Sequence, residues 1–259
     1  MITQDELMTR IVPSIGVVIG TLMFLSPLKA VLDMRRTGRI GELNPIPFPV
    51  VVANCVAWVA YAIVNKDPYV FMANDPGLLL GLFYTLSAYG FADAKTRNRL
   101  TALVMLFGVA LSGVALAVAS MPMSKNEKML LWGITANVVL LIYYSAPLTT
   151  VKEVLVSRSS ASLYWPLCMM NVLNGLLWVG YGRATHNSFI WAPNAVGALL
   201  GLLQLTLCLV FPRKMRVDPE DAAKREPLLS RTAEEERANT DRAGDLLHQR
   251  RGSSAAEDV

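Results

Sequence analysis

Seven residues of this chain recur at one fixed interval. Pro27, Asn54, Trp58, Tyr61, Asn74, Gly77 and Gly81 return 120 positions later as Pro147, Asn174, Trp178, Tyr181, Asn194, Gly197 and Gly201. These residue types are uncommon on lipid-facing helix surfaces, and a single register runs through three apolar segments, so the interval marks a duplicated unit. Each copy holds three mostly apolar runs of about 20 residues, the length of helix that crosses a hydrocarbon core of about 30 Å. Open strands would leave backbone groups unpaired in lipid, so the runs are expected to be helices.

Seven such spans are expected, at about 11–32, 47–64, 70–92, 101–121, 129–151, 163–181 and 189–212, the second and sixth being short and beginning at prolines. The fourth contains none of the repeated residues. A three-helix unit ends on the opposite side of the membrane from its start, so one extra crossing lets a second copy run parallel to the first. The expected fold is therefore an all-α membrane protein of two parallel three-helix bundles joined by a linker helix, three plus one plus three. Its parts are an extracellular N-terminus (1–10), a first repeat (11–95), the linker with its flanking loops (96–127), a second repeat (128–212) and a disordered cytosolic tail (213–259).

Composition agrees with this division. Hydrophobic residues make up 53 % of the chain and charged residues 17 %, against about 25 % charge in soluble domains. The last 47 residues carry 10 basic and 11 acidic side chains with few large apolar ones, which leaves too little apolar surface to offset chain entropy. Within the tail, Arg250-Arg251-Gly252-Ser253 resembles a basophilic kinase site, although a solvated charged tail accounts for it as well. No basic stripe accompanies the net charge of +4, so nucleic acid is not an expected partner. Cys55, Cys168 and Cys208 lie in apolar segments without CxxC spacing and read as reduced packing residues; no metal site or cofactor is expected. Eight basic residues follow spans one, three and five (Arg35, Arg36, Arg39, Lys95, Arg97, Arg99, Lys152 and Arg158), whereas four follow spans two, four and six. The positive-inside rule then places the N-terminus outside and the tail in the cytosol.

Asn54, Trp58 and Tyr61 share one face of span two, as Asn174, Trp178 and Tyr181 do in span six. In span three Asn74, Gly77 and Gly81 share a face, and the Gly-x-x-x-Gly spacing, repeated in span seven, permits close helix contact. A carboxamide offers two donors and an acceptor, which suits sugar hydroxyls, and an indole face suits the C–H face of a sugar ring. These residues would also serve as interhelical packing, but paired amides and paired indoles in register point to a pathway, because buried polar groups in a membrane are costly. Pro27 and Pro147 interrupt spans one and five, and Pro47 and Pro166 stand near the ends of spans two and six, so corresponding helices in both halves carry candidate hinges. Asp75 breaks the symmetry, being paired with Ala195. Two readings stay open for it: a titratable group in the pathway, or a local cap beside Pro76.

The strings Ser26-Pro27-Leu28, Pro47-Phe48-Pro49, Asn54-Cys55, Trp58-x-x-Tyr61, Lys66-Asp67-Pro68-Tyr69 and Asn74-x-x-Gly77 resemble the first repeat of a SWEET (MtN3/saliva) sugar transporter. Ala146-Pro147-Leu148, Pro166, Leu173-Asn174-Gly175, Trp178-x-x-Tyr181-Gly182 and Pro193-Asn194 resemble the second, and the resemblance covers residues 11–212. It implies a uniporter that moves mono- or disaccharides of the glucose or sucrose class down their gradient in either direction. SWEETs are a known instance of parallel repeats about an axis along the membrane normal. The resemblance further implies that Asn74 and Asn194 bind sugar, with Trp58 and Trp178 beside and above the ring. Pro27, Pro47, Pro147 and Pro166 match an inner-gate proline tetrad, and Tyr61 an outer gate whose usual acidic partner is here Asn187. Asn54, Asn174, Tyr181 and Asp75 are secondary candidates.

The nearest rival is a PQ-loop-type amino-acid or proton-coupled carrier of the same plan, but Leu28 and Leu148 stand where such proteins place Gln. A seven-helix receptor fits the orientation but not the repeat, and no nucleophile or metal constellation supports an enzyme. The plasma membrane is the expected location, with an intracellular membrane as the alternative, and assembly into homo-oligomers is left open.

Overall fold

Proline fits the first turn of a helix and disrupts its interior, because it fixes φ and lacks an N–H. Both behaviours divide the chain in the computed structural model, which describes residues 3–41 and 43–213. A short α1 (Gln4–Glu6), closed by a Thr3–Glu6 capping box, passes through the π-helical turns Leu7–Ile11 into α2 (Val12–Leu25). The helix breaks at Ser26–Pro27 and resumes as α3 (Leu28–Thr37), which ends at Gly38 with φ +70°. Together these pieces make span one. Beside the break the Tyr84 hydroxyl donates to the Phe24 carbonyl at 2.9 Å.

Spans two and three are α4 (Pro47–Asn65) and α5 (Pro68–Phe91), each starting on a proline. Span four is α6 (Ala94–Ser120), with Asp93 as its N-cap. Span five breaks at Tyr144 into α7 (Lys125–Tyr143) and α8 (Ser145–Ser157), two residues before the position that the repeat predicts from Ser26–Pro27. Spans six and seven are α9 (Trp165–Ala184) and α10 (Ser188–Val210). The three-plus-one-plus-three plan is present. Five of the helical stretches are long and apolar enough to cross a membrane by length and composition. Span two is among them; spans three and six are not. In both of these the apolar run is diluted by Asn, Pro, Tyr and Gly, several of them residues of the candidate site.

The two copies grip each other reciprocally: α2 of the first packs on α9 of the second, and α7 of the second on α4 of the first. The core at this seam gathers Ala57, Trp58, Tyr61, Ala136, Trp178 and Tyr181, and the linker α6 adds Phe107 and Leu111 to it. Each copy also has its own cluster at the end remote from the α4–α5 and α9–α10 connections. Val31, Met34 and Phe48 build the first, and their repeat mates Val151, Val154 and Cys168 build the second. All three cysteines are free thiols, Cys55 and Cys168 buried and Cys208 half-buried. Residues 214–259, including the expected disorder and Arg250–Ser253, lie outside the described residues.

Glycine permits the close approach of α9 and α10. A Cβ on Gly182 would lie 2.7 Å from the Trp191 backbone nitrogen, and one on Gly175 3.0 Å from the Asn194 carbonyl oxygen. A Cβ on Gly113 of α6 would meet nothing within 4 Å. Gly182→Ala is therefore expected to cost about 1–3 kcal/mol through overpacking against backbone and to lower the thermal midpoint in detergent. Gly113→Ala should leave the midpoint unchanged or raised.

Candidate functional site

The connections between spans two and three and between spans six and seven share one backbone. Lys66 and His186 adopt left-handed φ of 59° and 53°. The residues that follow are extended, Asp67 at φ −104° and ψ 100° and Asn187 at φ −106° and ψ 97°. Asp67 is N-cap of α5: its Oδ1 accepts from the Tyr69 and Val70 N–H groups, each at 3.1 Å. Its Oδ2 accepts from the Tyr181 hydroxyl of the other repeat at 2.9 Å. Asn187 makes no side-chain cap. It turns to the first repeat, where its Nδ2 donates to the Tyr61 hydroxyl oxygen at 2.7 Å and its Oδ1 lies 3.0 Å from the same atom.

Two reciprocal latches thus tie the repeats together at one end. Sequence reasoning points to Tyr61–Asn187 and misses the Tyr181–Asp67 partner. The signal for it is nevertheless present, since Asp67 stands 120 positions before Asn187. Aromatic rings repeat the symmetry. Trp58 meets Tyr61 edge-on at 5.7 Å, as Trp178 meets Tyr181 at 5.7 Å. Across the seam Tyr61 packs on Phe189 and Tyr181 on Tyr69, both at 5.9 Å. Edge-to-face pairs of this kind add about 0.5–1.5 kcal/mol each beyond their buried area.

Both tryptophans are buried. The Trp178 indole lies over Gly16 of α2, where a Cβ would approach it to 3.1 Å, and its Nε1–H donates to Asn174 Oδ1 at 3.2 Å. The first repeat does not copy this bond: Asn54 Oδ1 is buried and accepts nothing. Asn74 and Asn194 are half-buried and mounted alike. Each Nδ2 donates to the carbonyl four residues earlier, Val70 and Ile190, at 2.8 Å. Among the described residues neither Oδ1 accepts a hydrogen bond. Each amide stands seven residues beyond its latch residue, about 10 Å along its helix, so the pair lies at matching depth.

Pro27 lies at the break in span one, and Pro147 is the third residue of α8, just after the break in span five. Pro47 and Pro166 occupy the first turns of α4 and α9, at the ends remote from the latches. Asp75 is about 100° round the helix from Asn74 and makes no hydrogen bond among the described residues. It lies on the stripe of Leu79, Leu82 and Leu86, all exposed, away from the Gly77–Gly81 face. Among the described residues no group of three His, Cys, Asp or Glu side chains is placed to hold a metal ion.

Residues 10–96 and 130–216 match one family model, described as sugar efflux transporters for intercellular exchange. The chain belongs to this family. The two matched stretches are the two repeats, and the linker separates them. Among its relatives is the bidirectional sugar transporter SWEET5 of Arabidopsis thaliana, 27 % identical over 228 residues, covering 86 % of this chain and 95 % of that one. Sugar transporter SWEET1 of Drosophila pseudoobscura pseudoobscura is 30 % identical over 172 residues, covering 66 % and 76 %. The 3.7 Å structure of a eukaryotic SWEET transporter superposes with a TM-score of 0.72 at 21 % identity, covering 79 % of this chain and 97 % of that one, and so shares the fold. The present SWEET chain is accordingly an integral membrane protein of a transporter family, not an enzyme.

The two latches differ in charge. A hydrogen bond to a carboxylate contributes about 1.5–3 kcal/mol and a neutral one about 0.5–1.5 kcal/mol. Tyr181→Phe, which removes the donor to Asp67, is expected to lower the thermal midpoint in detergent more than Tyr61→Phe does. Equal shifts would show that the carboxylate latch is not the stronger.

Proposed function

We propose that this SWEET chain carries a neutral mono- or disaccharide of the glucose or sucrose class down its gradient, in either direction, by alternating access between its two repeats. The observation that carries the reading is the pair Asn74 and Asn194: one amide from each repeat, at one depth, each anchored through Nδ2 with an acceptor oxygen to spare. Such groups hold hydroxyls without desolvating an ion. The unpartnered Asn54 Oδ1 adds an acceptor for a substrate O–H, and the Trp58 and Trp178 rings supply apolar faces for the sugar ring.

In this reading the latches are the outer gate, shut in the present structure, and the inner end is the one that opens. Pro27, Pro47, Pro147 and Pro166 are the hinges there, since each lies where its helix breaks or begins. The loop charges put the N-terminus outside and the tail in the cytosol. The plasma membrane is the location consistent with the intercellular exchange that the family's description names.

Radiolabelled glucose and sucrose uptake in cells lacking their own transporters tests this. Native chain should take up at least one of them, and Asn74→Ala and Asn194→Ala should each lower the rate by about tenfold or more at equal surface expression, the loss of one or two hydrogen bonds to substrate. Equal uptake in all three would remove the proposed site. The rate of the native chain should be flat from pH 5 to 8, because the five proposed sugar contacts are uncharged and do not titrate; a steep profile would indicate proton coupling.

A further inference from the structure

The two sugar-site amides have the same mounting on their own helices but different supports from the neighbouring span. Pro193 precedes Asn194 and brings no N–H, so the Phe189 carbonyl, four residues earlier, loses its helical donor. Asn137 of α7 supplies the replacement: its Nδ2 donates to Phe189 O at 3.3 Å while also bonding Gly133 O at 2.8 Å. Seven residues on, at the C-cap of α7, the Tyr144 hydroxyl donates to Pro193 O at 3.0 Å. That hydroxyl sits where a Cβ on Gly197 would lie only 2.5 Å away, so this glycine is needed for the bond to form.

The first repeat has no such clamp: its own interior proline, Pro76, follows Asn74 by two residues and strands Met72 O, to which no side chain donates among the described residues. Its residues at the matching positions are Val17 and Phe24, and Ala73, which keeps its N–H, stands where the second repeat has Pro193. There the Phe24 ring packs directly on Gly77, without a polar bond.

We propose that Asn137 and Tyr144 are positioning residues that clamp the turn bearing Asn194, making the second repeat the fixed wall of the sugar site and the first its adjustable wall. The inference rests on the sugar-site reading of Asn194. It adds that a proline inside the helix, which strands a carbonyl, has been converted into a rigid seat by two side chains of span five. Bonds above and below Asn194 hold its amide in one orientation before sugar arrives, and preorganisation of that kind favours binding.

The decisive experiment compares Asn137→Val, Tyr144→Phe, Pro193→Ala and the double variant Asn137→Val/Pro193→Ala. Concentration dependence of uptake is measured for each. Backbone hydrogen exchange over residues 189–201 is measured on the same proteins in detergent without sugar. Asn137→Val and Tyr144→Phe should each raise KM by about 2–10-fold, the contribution of one hydrogen bond, with maximal rate little changed and exchange over 189–201 faster. Pro193→Ala restores an N–H for Phe189 O, so adding Asn137→Val to it should change neither KM nor exchange. The proposal is overturned if KM is unmoved in both single variants, if exchange is unmoved, or if Asn137→Val has as large an effect in the Pro193→Ala background as in the native chain. Because exchange is read without sugar, a native chain that carried none would defeat the sugar reading while the clamp itself was still decided.

Discussion

In hydrocarbon a backbone carbonyl that loses its helical donor has no water to turn to. This single constraint orders the described structure. Where proline enters span seven the carbonyl four residues earlier, Phe189 O, is left short of a donor, and Asn137 of a neighbouring span supplies it; beside prolines Tyr84 and Tyr144 add hydroxyl donors at Phe24 O and Pro193 O. At Pro193 the proline is therefore also a point where two spans are joined. The same logic governs the connection between spans two and three, where the first N–H groups of α5 are taken up by Asp67, whose other oxygen reaches the opposite repeat.

Duplication explains why so many contacts occur twice, and drift explains the exceptions. The aromatic pairs at the latch end match to a tenth of an ångström in ring separation. The polar contacts have diverged. A carboxylate faces a carboxamide's role at the latches, Trp178 bonds Asn174 while Asn54 Oδ1 is unpaired, and span seven has a polar clamp where span three has only a phenyl ring. Packing must be kept on both sides for the bundle to close, whereas a substrate has no two-fold axis and does not need identical walls.

Much of the architecture is legible in the sequence because apolar length and the 120-residue interval are both linear signals. Span boundaries differ by a few residues, most of all at spans one and five, where Gln4–Thr37 and Lys125–Ser157 are broken rods and a 20-residue window sees only part of each. Of the candidate site, the members repeated in register can be read, and the Tyr61–Asn187 contact joins residues that the family resemblance singles out. The Tyr181–Asp67 latch needs the interval to be applied once more. Asn137 is out of reach of that method, since its mate is Val17 and symmetry is blind to what only one copy has. Its role depends on Pro193, 56 positions away, and on which carbonyl that proline strands.

Lys66 and His186 hold left-handed backbone that side chains rarely adopt, in connections of two or three residues. Such corners are taut: they have no slack to lengthen when the molecule changes shape. On the proposed alternating-access reading, spans two and three would swing as one arm and spans six and seven as the other, so that parting at the latch end falls between the arms. The chain would behave like a pair of tongs whose tips are stiff and whose give lies further down the shafts.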